Sequence, residues 1–287
     1  MKNTTPMRGI HRLFACTLLL LAMASHAHEP RIIALGGDVT GIVHALGSLS
    51  EVVAVDNTST WPASVKKLPD VGYVRQLNTE GILALNPSHI LATHGAGPPD
   101  VLKQLQHFNV QTTQLNEAQN LKGIVEKVQQ IGAVLNKPEQ ANTLQQQLEQ
   151  QASILAQRVA SMAYHPRAVV IMSTGTSGLM VAGNNTAAEH AITLAGGQHI
   201  VTDYSGYKPL SNEALITLQP DVLLLMQTSG NTPAETLLQL PAVKQTPAGK
   251  HQRVKAIDGE ALLGFGVRTL EHATQLQAYF GDISNHE

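Results

Sequence analysis

Tyr73 and Arg75 stand two residues apart in a chain that has only five tyrosines. A phenolate oxygen is a hard anionic ligand for ferric iron, and tyrosine is one of the residues that hold haem iron. A phenol needs help to ionise at neutral pH, and the Arg75 guanidinium is a cation that never loses its charge. On an extended segment, residues two apart project to one side, so the pair can act together. The alternative is a tyrosine packed in a loop beside a surface arginine, and spacing alone leaves both interpretations open.

Other motifs suggest catalytic, nucleotide or metal sites but fail on their spacing. The dinucleotide fingerprint G-x-G-x-x-G needs glycine where this chain has Asp38, so Gly36 and Gly37 are better explained as turn and helix-terminus glycines. The stretch 175–178, "GTSG", lacks the G-x-S-x-G elbow of serine hydrolases. The 13 histidines do not fall into a zinc-binding spacing. The sequence therefore predicts a protein that is not an enzyme.

Short apolar strands alternate with helices in both halves of the chain, which predicts parallel βαβ units and the α/β fold class. The alternation is interrupted at 119–162, which is helical throughout apart from a stop at 136–138. We interpret its second helix as a long connector between two lobes; the alternative is one more amphipathic helix of a single domain. The predicted boundaries are 28–137 for the N-terminal lobe, 138–163 for the connecting helix and 164–287 for the C-terminal lobe.

The two halves also share a repeated sequence frame. "EGILALNPSHIL" from Glu80 matches "EALITLQPDVLL" from Glu213, and "GYVRQLNTE" matches "GYKPLSNE" farther upstream. Beyond the strand, Asp100 and Glu235 occupy equivalent places, each at a helix start shortly after a proline. Two similar lobes imply a cleft between them, and small molecules bind preferentially at such interfaces.

The N-terminus predicts export. Positive residues precede the apolar run 13–23, and small residues flank a cleavage point after Ala27, so 1–27 is typical of a secretory signal peptide. The alternative, a membrane anchor, would need a longer apolar run. Cleavage would remove Cys16, the one cysteine, and leave a periplasmic chain without disulfides. The net charge of -2 does not favour nucleic acid as a partner.

Four stretches together resemble one protein family. They are "LPDVGYVRQLNTEGILALNPSHILATHGAGPP" at 68–99, "VAGNNTAAEHAITLAGG" from Val181, "GYKPLSNEAL" from Gly206 and "GFGVRTLEHA" from Gly264. They are similar to the periplasmic haem-binding proteins of bacterial ABC haem importers, the HmuT-type family. The resemblance implies a class III solute-binding fold: two α/β lobes with parallel-rich sheets, joined by a long rigid helix, with haem in the cleft. It also implies a monomer that takes haem from an outer-membrane receptor and gives it to an inner-membrane ABC permease with its ATPase.

The same resemblance assigns roles to residues. Tyr73 matches the axial ligand of the haem iron, and Arg75 matches its hydrogen-bonding partner. Asp100 and Glu235 match paired acids at the lobe tips that dock on arginines of the permease.

The second lobe departs from the family pattern. The stretch "MSTGTSG" lacks a histidine that serves some relatives as a second iron ligand, and Asn184 and Asn185 stand where relatives often have arginine. The iron is therefore either five- or six-coordinate. Candidate haem contacts are Tyr204, Tyr207 and Lys208 in the second lobe, with Lys208 toward a propionate, and Trp61 over a porphyrin face. The nearest alternative function is a receptor of the same fold for a ferric siderophore or a corrinoid.

Overall fold

The computed structural model describes residues 30–175, 178–227 and 234–284. Its first sheet has four parallel strands in the order β2-β1-β3-β4. The strands are β1 (Ile32–Leu35), β2 (Val52–Val55), β3 (His89–Ala92) and β4 (Gln111–Gln114). Every residue of the central strand β1 is buried, with alternate side chains entering cores on opposite faces of the sheet. This is the pattern of a parallel sheet that is covered on both faces.

The helices of the first lobe are α1 (Gly37–Ala45), α2 (Thr79–Leu83), α3 (Pro99–His107) and α4 (Leu121–Val134). Asparagine side chains begin two of them, because Asn78 and Asn120 each accept a hydrogen bond from a backbone N–H in the first turn. Short 3₁₀ turns occupy Leu49–Glu51 and Ala63–Lys67.

The second sheet is mixed. Its main order is β10-β9-β5-β6-β8, and β7 pairs with β5. The strands are β5 (Arg167–Gly175), β6 (Gly178–Ala182), β7 (Gln198–His199), β8 (Tyr207–Leu210), β9 (Val222–Gln227) and β10 (Val254–Asp258). Strands β7, β9 and β10 extend the sheet in parallel, whereas β6 runs antiparallel to both β5 and β8. The second sheet therefore contains the predicted parallel pairs. It also contains the antiparallel strand β6, which was not predicted.

A long helix, α5 (Pro138–Ala160), joins the two lobes over 23 residues, or about 34 Å. Its buried side chains Ala141, Leu148 and Leu155 form one stripe at seven-residue spacing. The stripe belongs to a continuous core that includes inner-face residues of both sheets, such as Ala34 and Val170. Helix α5 thus packs on both lobes, as expected for a rigid connector.

The helices of the second lobe follow in chain order. They are α6 (Ala187–Leu194), α7 (Asn212–Leu218), α8 (Ala234–Gln239), α9 (Pro241–Lys244), α10 (Pro247–Lys250), α11 (Gly259–Leu263) and α12 (Thr269–Ser284). Residues from Arg31 onward form one compact unit. None of the helices within the described residues is long and apolar enough to cross a membrane.

Candidate functional site

Tyr73 and Arg75 lie in the loop that follows β2, at the carboxyl end of the first sheet. The segment is not extended as predicted, because the Gln76 N–H donates to the Tyr73 carbonyl at 2.8 Å and closes a turn. Val74 between them is buried and its carbonyl accepts from the Gly97 N–H at 2.9 Å. Tyr73 and Arg75 are both exposed, with 41 % exposure for Tyr73. One buried residue therefore anchors the turn while its neighbours on either side remain accessible to a ligand.

Gly72 allows the backbone to turn directly before Tyr73. Its φ of 90° is in the region that favours glycine. The Asp70 carboxylate accepts from the Gly72 N–H at 2.7 Å, and the Gly72 carbonyl accepts from the Asn57 N–H at 3.0 Å. The residue directly before Tyr73 is thus held by hydrogen bonds on both sides.

The guanidinium of Arg75 lies over Gly95. A methyl group at Gly95, whose φ is 75°, would stand 3.8 Å from the guanidinium carbon of Arg75. Across the described residues, no hydrogen bond or ion pair engages Arg75. Its donors are therefore free to meet an anionic group that enters the cleft.

Tyr207 is an accessible candidate residue of the second lobe. It begins β8 at the edge of the second sheet, and 46 % of it is exposed. Burial nevertheless raises the pKa of Tyr207, and the Glu117 carboxylate adds to that rise while the Arg75 guanidinium opposes it. The charge of Arg75 in the first lobe is therefore felt at Tyr207 in the second.

Tyr204 and Lys208 form a separate pair on the second lobe. The Lys208 ammonium lies 5.1 Å from the centre of the Tyr204 ring. Burial, with a smaller contribution from Asp203, raises the pKa of Tyr204. Because adjacent residues of a strand project to opposite faces, Lys208 and Tyr207 lie on opposite faces of β8.

Trp61 lies in the contact between the lobes. Its ring meets the His44 ring edge-on at 4.9 Å between centroids, and the Arg268 guanidinium stands 5.1 Å from its centre. The role of Trp61 over a porphyrin face stays a prediction.

A cavity of about 1000 Å³ extends inward between the lobes. The first lobe contributes Asn57, Thr60 and Lys66 to its wall, and the second contributes Asp258 and Glu260. Tyr73 does not line this space itself, but the hydrogen bond between Asn57 and Gly72 places Tyr73 beside it. The loop that carries Tyr73 therefore borders the cavity.

Buried Asp56, directly after β2, shapes the first-lobe wall. Its carboxylate accepts from the Gly36 N–H at 2.7 Å, the Ser59 hydroxyl at 2.6 Å and the Thr58 N–H at 3.0 Å. This network ties the loop of the cavity wall to the end of β1. Sequence reasoning missed Asp56, although its place at the carboxyl end of a predicted parallel strand was an available signal.

A buried ion pair of the first lobe also contacts the second lobe through Lys127. The Lys127 ammonium of α4 donates to the Asp38 carboxylate of α1 at 2.6 Å. It also donates to the carbonyls of Gly264 and Phe265, which belong to the second lobe, at 3.3 and 3.2 Å. Three segments thus share one buried ammonium, and sequence reasoning missed this contact as well.

Asp100 and Glu235 occupy corresponding places in the two lobes. Each is an exposed acid in the first turn of the helix that follows β3 or β9, namely α3 and α8. Lys103 lies 3.6 Å from the Asp100 carboxylate, but both side chains are largely exposed, and such pairs contribute only about 0–1 kcal/mol. Both acids are therefore available to a partner.

Residues 176–177 of the "GTSG" stretch and 228–233 lie outside the described residues. Within the ranges that are described, no group of three or more histidine, cysteine or acidic side chains is arranged to hold a metal ion.

Comparisons with known proteins agree with this architecture. The profile of the periplasmic binding protein family matches residues 32–261. The apo structure of the periplasmic heme-binding protein RhuT from Roseiflexus sp. RS-1 is 35 % identical, with a TM-score of 0.84, and the match covers 89 % of this chain and 99 % of RhuT. A periplasmic heme-binding protein from Pseudomonas aeruginosa is 33 % identical, with a TM-score of 0.81 and coverage of 88 % and 92 %. The vitamin B12-binding protein of Pectobacterium atrosepticum is 30 % identical over 217 residues, which are 74 % of this chain and 77 % of that protein.

Proposed function

Because the chain belongs to the periplasmic binding protein family, we propose that it captures haem between its lobes and delivers it to an inner-membrane ABC permease with its ATPase. The observation that carries the proposal is the accessible Tyr73 beside the unpaired guanidinium of Arg75, at the edge of an interlobe cavity. The heme-binding names of two relatives with the same fold support it.

The chemistry of these residues suits ferric haem. The Tyr73 phenolate would bind the iron as an axial ligand, and Arg75 would donate hydrogen bonds to that phenolate or to a propionate. Tyr207, an exposed tyrosine at the start of β8, would approach the haem from the second lobe. Tyr204, Lys208 and Trp61 stay predictions as haem contacts, and their present partners lie within the protein. The proposal involves no catalytic step.

A corrinoid is the second candidate ligand, favoured by the vitamin B12-binding relative. A cobalamin carries its own axial base, so a tyrosine–arginine pair would be superfluous for it. A ferric siderophore likewise supplies all of its iron ligands.

Optical titration of the purified chain tests this choice. We expect hemin to produce a saturable Soret band with a charge-transfer feature from phenolate ligation, and cyanocobalamin and a ferric tris-catecholate to cause no saturable change. Saturable binding of cyanocobalamin in the absence of hemin binding would favour the corrinoid receptor instead.

The chain is proposed to act in the periplasm after removal of 1–27, as a monomer that receives haem from an outer-membrane receptor. The N-terminal sequence of the exported protein would test removal of 1–27, and gel filtration would test the monomer. Transfer of haem from a haem-loaded receptor would test the donor.

The double variant Asp100→Ala, Glu235→Ala is expected to bind haem normally but to lose most stimulation of ATP hydrolysis in the reconstituted transporter. Charge pairs with permease arginines would orient the carrier with its cleft over the translocation path. The measurement is ATPase activity and haem uptake in proteoliposomes.

The matched control is Glu139→Ala, Glu271→Ala, which removes two exposed first-turn acids from helices α5 and α12. First-turn acids stabilise a helix by about 0.3–1 kcal/mol each, so both double variants should lose similar stability. If the Asp100, Glu235 variant keeps full transport activity, these acids do not dock on the permease and only stabilise their helices.

A further inference from the structure

Lys66 lies on a loop that leaves the first sheet after β2 and returns beside it shortly before Tyr73. The Val55 N–H donates to the Pro69 carbonyl at 3.1 Å, and the Val71 N–H donates to the Val55 carbonyl at 3.0 Å. These bonds close the loop at its base, where the returning chain runs parallel to the end of β2. Lys66 is therefore carried by a closed loop, and Tyr73 follows where that loop ends.

The middle of this loop is also held in place. Val65 is buried in the core, its N–H donates to the Pro62 carbonyl at 3.0 Å, and its carbonyl accepts from the Leu68 N–H at 2.9 Å. Lys66 is the next residue, and it lines the interlobe cavity. Lys67 is exposed as well but does not line the cavity. Two adjacent lysines of one 3₁₀ turn thus differ in their access to the proposed ligand space.

The ammonium of Lys66 has no counter-ion within the described residues. No ion pair or hydrogen bond in that part of the chain engages it. Among the described residues that line the cavity, Lys66 is also the one basic side chain. The cavity wall therefore offers an incoming anion a single positive charge, and that charge is on the first lobe.

The carboxylates of the same wall already have donors. Asp38 accepts from the Lys127 ammonium at 2.6 Å. Asp258 accepts from the Arg268 guanidinium at 2.9 Å. These pairs leave Lys66 outside the charge network of the wall.

Glu260 is the third carboxylate of the wall, and its donors are neutral. Its carboxylate accepts from the Thr60 backbone N–H at 3.2 Å and from the Thr60 hydroxyl. Within the described ranges no ion pair joins Glu260 to Lys66. The Lys66 ammonium consequently remains available to a ligand that brings its own carboxylate.

We propose that Lys66 binds a propionate of the haem and thereby sets how the porphyrin is rotated about the bond between its iron and the protein. This role rests on the proposed haem carriage. A lysine ammonium is a compact charge with three donors on a flexible stem, so it can follow a carboxylate at the periphery of the ring. Hydrogen bonds between charged groups are about twice as strong as neutral ones, so one such contact can favour a single orientation.

Lys208 of the second lobe is the competing candidate for a propionate. Its ammonium lies 5.1 Å from the centre of the Tyr204 ring, and Lys208 does not line the cavity. Lys66 has neither restriction, since it lines the cavity and has no aromatic partner within the described residues. The two lysines are therefore compared in the same experiment.

The test compares the affinities for hemin and for iron(III) protoporphyrin IX dimethyl ester, whose propionates carry no charge, in one detergent solution. Lys66→Met should weaken hemin binding by about tenfold, as expected for loss of a hydrogen bond to a charged group at a partly solvated site. The same variant should bind the ester as the unmodified chain does. Lys66→Glu should weaken hemin binding further by like-charge repulsion, and Lys66→Arg should restore it. The phenolate charge-transfer band should persist in every variant, because the iron ligand is untouched.

Lys67→Met and Lys67→Glu are the matched controls, because they make the same charge changes one residue away, outside the cavity wall. Both should bind hemin and the ester as the unmodified chain does. If Lys66→Met weakens hemin and the ester equally, Lys66 supports the loop and does not bind a propionate. If Lys208→Met shows the ester-sensitive loss and Lys66→Met does not, the propionate contact belongs to Lys208. Lys66→Gln is a second neutral variant in case Lys66→Met folds poorly.

The proposed function and the role of Lys66 fail in different measurements. A chain that binds neither porphyrin has no haem site, and the role of Lys66 falls with it. A chain that binds hemin with the charge-transfer band, while its Lys66 variants behave as the Lys67 controls do, keeps haem carriage and loses the propionate contact.

Discussion

Replacing Tyr73 with alanine is expected to weaken haem binding by about 100-fold or more and to remove the phenolate charge-transfer band. Loss of a residue that only supports a metal ligand typically costs about 10–100-fold, and loss of the ligand itself should cost more. Tyr73→Phe should have nearly the same effect, because it keeps the ring and removes the oxygen that binds iron. Hemin titration followed by visible spectroscopy measures both results.

Arg75→Ala should have a smaller effect, because it removes a donor to the ligand and leaves the ligand in place. A hydrogen bond to a charged group contributes about 1.5–3 kcal/mol. Tyr279→Phe serves as the control, since Tyr279 lies on α12 under the Lys255 ammonium and outside the cleft. If both Tyr73 variants keep the wild-type spectrum while Tyr207→Phe loses it, the iron ligand is Tyr207.

Lys127→Met is expected to lower the free energy of unfolding by about 3–5 kcal/mol. The change would leave the buried Asp38 carboxylate without its cation and the carbonyls of Gly264 and Phe265 without a donor. Proteins of this kind are stable by only about 5–15 kcal/mol, so the loss is a large share of the total. Urea denaturation at neutral pH would measure it.

The double variant Asp38→Ala, Lys127→Met removes both charges. It measures the net contribution of the ion pair to the free energy of unfolding. This double variant should recover part of the loss, because no uncompensated charge remains buried. Lys122→Met is the control on the same helix: its partner Glu126 is 3.8 Å away and both are exposed, so it should cost at most about 1 kcal/mol. A loss below about 1 kcal/mol in Lys127→Met would show that the buried ion pair contributes little to stability.

The sequence contained enough information for the fold class and the family, and both are confirmed. Strand β4 escaped prediction because "QTTQ" is an edge strand with exposed ends, and it lacks the apolar pattern of buried strands. The antiparallel direction of β6 was missed because an apolar run fits a strand that is parallel or antiparallel to its neighbours. The turn at Tyr73 was taken for an extended segment, since only the burial of Val74 reveals how the loop closes.

In the candidate site, residues that are close in sequence could be predicted, whereas contacts between distant residues could not. Tyr73 and Arg75 could be proposed because they are two residues apart, although their role in binding haem stays a prediction. The contact of Lys127 with Asp38 spans 89 positions, and that of Thr60 with Glu260 spans 200. No spacing rule reaches so far, because such pairs exist only after two lobes have packed together.

Trp61 has a further consequence, since it is the one tryptophan of the chain. Its indole is enclosed by His44 of the first lobe and Arg268 of the second, so its ultraviolet emission arises at the lobe contact alone. Any rearrangement of that contact should shift the emission maximum of the whole protein, and a porphyrin in the neighbouring cleft should quench it by energy transfer. The molecule therefore carries an intrinsic fluorophore that can follow cargo arrival and lobe movement in a single stopped-flow trace, without a label.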